Sequence, residues 1–145
     1  MPASSVSFPY VPEKVERGVI FRPKIPVTLS YGEKSLETLG LVDSGSDISI
    51  IPLGIAEFLG IDLSGRSGEV SDFHKKKIEM VYSFVNLKIE KGDVVFRIFQ
   101  LAVRIPMKDE DQPDGIILRR DGVFREFDIT FEENARKIVL QKVRR

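Results

Sequence analysis

From Val19 onward the sequence is a succession of short apolar or β-branched segments, each cut off within a few residues by a proline or a glycine-containing turn. That texture favours strands over helices. Val19 to Phe21, Ile25 to Leu29 and Leu36 to Val42 are separated by Pro23 and by Tyr31-Gly32-Glu33-Lys34, which reads as a hairpin turn. Ile48 to Ile51 reads as a buried strand stopped by Pro52. Between residues 77 and 90, Ile78, Met80, Tyr82 and Phe84 share one parity and Val85, Leu87 and Ile89 the other. A one-residue slip exchanges the faces of a strand, so the phase change predicts a bulge or bend between Phe84 and Val85. After a turn at Lys91-Gly92-Asp93 comes the strongest strand, Val94 to Ile105, in a meander with its predecessor. Gly115 to Leu118 is again strand-like, and Asp128 to Phe131 with Ile138 to Val143 form a closing hairpin. Helix is confined to Leu53 to Gly60 and to a short stretch from Arg119 to Phe127. Residues 1–18 hold three prolines and read as an arm or loop ahead of a domain over 19–145, and Asp62 to Asp72 reads as exposed and mobile. The expected fold is all-β, a closed antiparallel barrel with a short helix near the C-terminal part.

Several function classes are disfavoured by composition. A chain of 145 residues suits one compact domain. With 22 basic and 22 acidic side chains it has no surplus charge to attract nucleic acid or anionic lipid, so neither is an expected partner. The absence of cysteine excludes disulfides and thiolate chemistry, and the single histidine, His74, excludes a multi-histidine site within one chain. No apolar run reaches the ~20 residues needed to cross a bilayer and no secretory signal is visible, so the expected location is cytoplasmic. Asp109, Glu110 and Asp111 lack EF-hand spacing and read as a solvated loop. Gly40 to Gly45 lacks the Gly-Lys-Ser/Thr ending of a phosphate loop. Lys75 to Lys77 and Arg144-Arg145 are short basic patches whose default reading is solvation. Neither a metal nor a cofactor is expected.

The run Asp43-Ser44-Gly45-Ser46-Asp47 interrupts two hydrophobic strands with small and polar residues. Composition alone leaves two readings open, a structural turn and a chemical site, because Asp, Ser and Gly are the commonest turn residues.

The longer stretch LVDSGSDISIIP resembles the active-site segment of retropepsin-like aspartic proteases, the single-domain relatives of the retroviral proteases. By that resemblance Asp43 is the catalytic aspartate, Ser44 the hydroxyl residue bracing the two loops of a dimer, and Gly45 the glycine whose carbonyl faces substrate. Ser46 matches a small residue, and Asp47 a second acidic residue that contacts substrate backbone and a framework arginine. Downstream, Gly115 to Gly122 (GIILRRDG) resembles the family segment in which apolar residues precede Gly-Arg and a short helix. Arg120 then takes the framework arginine's place, and Arg119 stands where the family normally has glycine. The similarity runs from about Val19 to Leu140.

The resemblance implies an aspartic endopeptidase acting on a peptide or protein substrate. Such hydrolysis needs one carboxylate to take a proton from water and one carboxylic acid to polarise the carbonyl, and two adjacent carboxyls that share a proton supply both. Because the chain has one Asp-Ser-Gly triplet, the dyad would form across a homodimer axis. Each subunit would also contribute a flap, for which Ser64 to Lys76 is the candidate, with Gly65 and Gly68 supplying mobility and Val70 or Phe73 covering the cleft. Ile138 to Val143 or the N-terminal arm is the candidate dimer strand. The competing reading is a folded, inactive dimeric interaction module.

Overall fold

The computed structural model describes residues 4–71 and 74–143 of the chain. In order these form β1 (Ser5–Pro9), β2 (Val11–Val15), β3 (Gly18–Arg22), β4 (Lys24–Tyr31), β5 (Lys34–Val42), β6 (Ser49–Ile50), the helix α1 (Leu53–Leu59), β7 (Ser67–Ser71), β8 (Lys77–Lys91), β9 (Val94–Pro106), β10 (Ile116–Leu118), β11 (Phe127–Glu132) and β12 (Lys137–Lys142). Six strands close into a barrel in the order β4-β5-β10-β6-β9-β8, with β8 returning to β4 through Leu29 and Leu87. β7 extends β8 beyond the ring, β1-β12-β11 form a separate sheet, and β2-β3 form a ribbon.

Closure is as the strand pattern predicts, and the pairing within it is mixed. Strands joined by tight hairpins are antiparallel, whereas β5–β10 and β6–β9 are parallel. Parallel neighbours require a crossover connection, and both of these pairs are separated by long stretches of chain.

Alternation explains the interior. β4 buries Ile25, Val27 and Leu29, while β9 buries Phe96 and Ile98 and then Leu101, Val103 and Ile105, so its inward parity changes midway. The change is absorbed at Gln100, whose φ is 55° and whose N–H donates to Asn86 Oδ1 at 3.0 Å. On β8 the register shifts between Val85 and Leu87, next to the position where the sequence predicts a bulge. Without the extra residue, one half of β9 would turn its apolar side chains to solvent, at roughly 1.5–3 kcal/mol each.

The N-terminal segment departs from the arm or loop expected of it. β1 pairs with β12, and Val6, Phe8 and Tyr10 join the core. Two of its prolines are accommodated because Pro9 ends an edge strand and Pro12 lies in the two-stranded ribbon. β12 consequently has neighbours on both sides within its own chain, so of the two candidate dimer strands it is β1 that has an outer edge.

Two local features hold the ends of the barrel. α1 has no side-chain cap of its own at Pro52, and the Leu53 N–H donates instead to Gln112 Oε1 at 2.8 Å. Gln112 Nε2 in turn donates to the Pro106 and Lys108 carbonyls, so the charged loop is tied to the helix. Where a helix is expected from Arg119, residues Arg120–Phe124 form a wide turn with non-helical backbone at Asp121 and Gly122. Gly122 has φ 84°, and a Cβ there would lie 2.5 Å from Leu101 Cδ1. Both conditions call for glycine.

Candidate active site

Asp43 follows β5 directly, and the loop it opens ends at β6. β10 lies between these two strands, pairing with β5 through Leu118 and Val42 and with β6 through Ile117 and Ile50. One strand and the turn after it therefore hold both ends of the loop. The Asp43 N–H donates to the Leu118 carbonyl at 2.8 Å, the Arg120 N–H to Ser46 O at 3.3 Å, and the Asp121 N–H to Asp47 O at 2.7 Å. Ser44 and Gly45 are exposed between these anchors, and Ser46 is half-buried.

Both carboxylate oxygens of Asp43 are engaged within the chain. Oδ1 accepts from the Gly45 N–H at 2.9 Å, and Oδ2 accepts from Arg119 Nε at 3.3 Å. The Arg119 side chain is 19% exposed and that of Asp43 35%, so the pair is partly withdrawn from water. Arg119 is itself fixed: its N–H donates to Ser49 Oγ at 2.9 Å, and Nη1 reaches the Ile48 carbonyl at 3.5 Å. Ser49 is fully buried.

At the far end of the loop Arg120 Nη2 meets Asp47 Oδ1 at 2.5 Å, with side chains 56% and 71% exposed. The sequence-derived set thus divides. Asp43 to Asp47 and Arg120 come together, and Arg119 joins them on the carboxylate itself.

The flap candidates lie elsewhere. Gly68 and Val70 belong to β7, paired with Met80 and Ile78 of β8, and Gly65 precedes that strand. Phe73 lies outside the described residues. A Cβ at Gly68 would stand 2.8 Å from the Tyr82 hydroxyl, so this glycine permits close approach to an aromatic ring, beyond the mobility expected of it. Tyr82 is opposite Arg104 on β9, whose guanidinium carbon lies 5.4 Å from the ring centre. Arg104, in turn, lines an open cavity together with Asp47 and Arg120.

The sequence reading did not single out Arg104, Ser49 or the docking of Arg119 on Asp43. Arg104 carried a signal, since it is a charged residue between Val103 and Ile105 in a long, mainly apolar strand. In the acidic loop, Lys76 bridges Asp111 at 3.0 Å and Glu110 at 3.8 Å. Among the described residues no group of three or more His, Asp or Glu side chains is arranged to hold a metal ion, and no helix is long and apolar enough to cross a membrane.

No family model matches the chain. No curated protein matches it in sequence. Solved structures do match in fold. A retropepsin-like aspartic protease from Rickettsia conorii aligns over 98% of this chain and 95% of its own, with a TM-score of 0.57 and 11% identity. The retroviral protease-like domain of Ddi1 from Leishmania major aligns over 85% of this chain and 94% of its own, with a TM-score of 0.48 and 15% identity. The fold of the chain is therefore retropepsin-like.

Proposed function

We propose that the protein is an aspartic endopeptidase whose catalytic dyad forms from Asp43 of two copies of the chain. The observation that carries this reading is the position of Asp43. It opens a loop pinned to β10 and the turn behind it, within a fold shared with a retropepsin-like protease. One Asp43 carboxylate takes a proton from water as the oxygen adds to the peptide carbonyl carbon. The carboxyl of the second Asp43 donates to the carbonyl oxygen. Proton transfer to the amide nitrogen then lets the C–N bond break, leaving a carboxylic acid and an amine. Asp47 and Arg120 brace the loop and border the bound peptide, while Ser44 and Gly45 face the partner and the substrate. The hairpin of β7 and β8 serves as the flap. With β12 enclosed, the outer edge of β1 is the candidate dimer strand. The cysteine-free sequence accords with a cytoplasmic location.

A crystal structure with the oligomeric state measured in solution tests this reading together with cleavage of a peptide library at acid pH. Two Asp43 carboxyls within hydrogen-bonding distance, and cleavage abolished by Asp43→Ala in a folded dimer, support it. Full turnover by that variant removes the mechanism.

The Arg119 to Asp43 ion pair favours a second reading, a folded dimeric interaction module without activity. Arg119 Nε occupies an oxygen that the water or the second carboxyl has to reach. A dimer that neither cleaves the library nor binds a statine-type inhibitor such as pepstatin establishes that alternative, and slow turnover lost with Asp43→Asn eliminates it.

A further inference from the structure

Two open cavities of about 630 Å³ flank the barrel, and their charges are arranged differently. In the one beside β2 and β3, Glu13 already bridges Arg22 at 3.6 Å and Lys24 at 3.3 Å. The other adjoins the Asp47 end of the candidate catalytic loop and is lined by Arg104, Arg120, Arg125, Asp47, Asp121 and Phe124 among others. Guanidiniums there outnumber carboxylates, and Asp47 is already taken by Arg120.

Arg104 is the distinctive member. It is half-buried, and its Nε is shut off from solvent without a hydrogen-bond partner among the described residues. Its guanidinium is held by the Tyr82 ring, and Arg66 lies 6.0 Å from the centre of that same ring. The arrangement is built into the sheet. Tyr82 is Arg104's register partner, and the Tyr82 N–H donates to the Arg66 carbonyl at 2.8 Å. With Nε enclosed, a guanidinium oriented by an aromatic face offers its two terminal nitrogens to a planar anion, and a carboxylate matches that fork best.

We infer that this cavity is a subsite for an acidic side chain of the peptide substrate, with Arg104 as the specificity-determining residue. The inference rests on the protease reading for its substrate class. Since the cavity borders Asp47 and not Asp43, the acidic residue is set back from the scissile bond. Arg66 and Arg104 add a positive margin from the base of the β7–β8 hairpin toward the loop, and Phe124 and Ile48 offer apolar surface to the methylene part of a glutamate.

The test uses a randomised decapeptide library and two readouts on the full chain. Cleavage sites made by the wild-type protein are sequenced, and peptides retained by the Asp43→Asn protein are sequenced separately. Aspartate or glutamate is expected at one fixed position away from the cleaved bond, with an enrichment of about tenfold that disappears in Arg104→Gln and partly survives in Arg104→Lys. The enrichment in the wild-type background should also weaken as salt is raised, a readout independent of how well any Arg104 variant folds. No acidic enrichment in either readout, or enrichment undiminished in folded Arg104→Gln, overturns the subsite. Retention of acidic peptides through Arg104 without any cleavage leaves the subsite standing and removes the protease reading instead.

Discussion

Arg119 meets Asp43 at one end of the loop in a partly buried pair, and Arg120 meets Asp47 at the other in an exposed one. Consecutive residues thus make chemically similar contacts with different consequences. An exposed ion pair contributes about 0.2–1 kcal/mol and is screened by salt, so Arg120 adds little to what the backbone bonds at Ser46 and Asp47 already fix. Arg119 is anchored to buried Ser49 and to the Ile48 carbonyl, so its Nε is a fixed feature of the carboxylate's surroundings. Proximity of an arginine to an aspartate does not by itself indicate a brace. At Asp47 the contact adds little to a loop already held by its backbone, and at Asp43 it would compete with the proposed reaction.

The largest test of that contrast is removal of each acid. Asp43→Asn is expected to lower kcat by about 10²–10⁴, the range for loss of general acid–base catalysis, while Asp47→Asn lowers it by about tenfold or less. Steady-state kinetics on folded dimers measure both, and equal losses would erase the distinction between the two ends. Next comes Arg119→Gly, which installs the residue that the resembling family carries there. Freeing Asp43 Oδ2 from one charge-assisted hydrogen bond is expected to raise kcat/KM about tenfold. A fall in kcat/KM with the fold intact would make Arg119 a participant in catalysis.

Smaller effects sharpen the same comparison. A double-mutant cycle read by denaturant unfolding should give a coupling below about 1 kcal/mol for Asp47 and Arg120, and a larger one, about 1.5 kcal/mol, for Asp43 and Arg119. Coupling in the reverse order would contradict the burial argument. The smallest change concerns an acidic turn whose carboxylate forms no ion pair with an arginine among the described residues. Asp62 Oδ1 accepts from the Ser64 N–H at 2.9 Å, as Asp43 Oδ1 does from Gly45, and also from the Ser64 hydroxyl at 2.6 Å. The hydroxyl first, and then the N–H, hold the Asp62 carboxyl below its ordinary value of 3.8. A lowered folded value favours the native state above the ordinary aspartate range, and this preference is lost as pH falls through the folded value. Ser64→Ala should move Asp62 back toward 3.8 in an NMR titration, with no measurable loss of stability. An unmoved titration would assign the shift to another cause.

Most strands were legible because alternation and turn residues are local signals. Tyr31 to Lys34 and Lys91 to Asp93 are the turns predicted, with Gly32 and Gly92 at φ 58° and 59°. The place of the irregularity along β8 was legible within about a residue, but the extra residue itself lies on the partner strand β9, where Val85 and Leu87 face Leu101 and Ile98. β1 was not, because the prolines in and around it read as loop signals and its tolerance for Pro9 depends on being an edge strand against β12, more than a hundred residues along the chain. The helix cap from Gln112 and the parallel pairings of β10 and β6 are equally non-local. In the candidate site the residue types were readable and their partners were not. Arg119 was visible as a departure from the expected glycine, but the atom it reaches depends on β10 lying between β5 and β6.

Subunit mixing tests the shared dyad most directly. Wild-type protein and Asp43→Asn protein are combined in equal amounts, allowed to exchange subunits, and assayed at constant total protein. A site that needs Asp43 from both chains retains about a quarter of the wild-type activity, since only wild-type pairs cut, and the activity follows the square of the wild-type fraction. Activity of about a half, falling linearly with that fraction, would mean that each chain carries a complete site and would contradict the account.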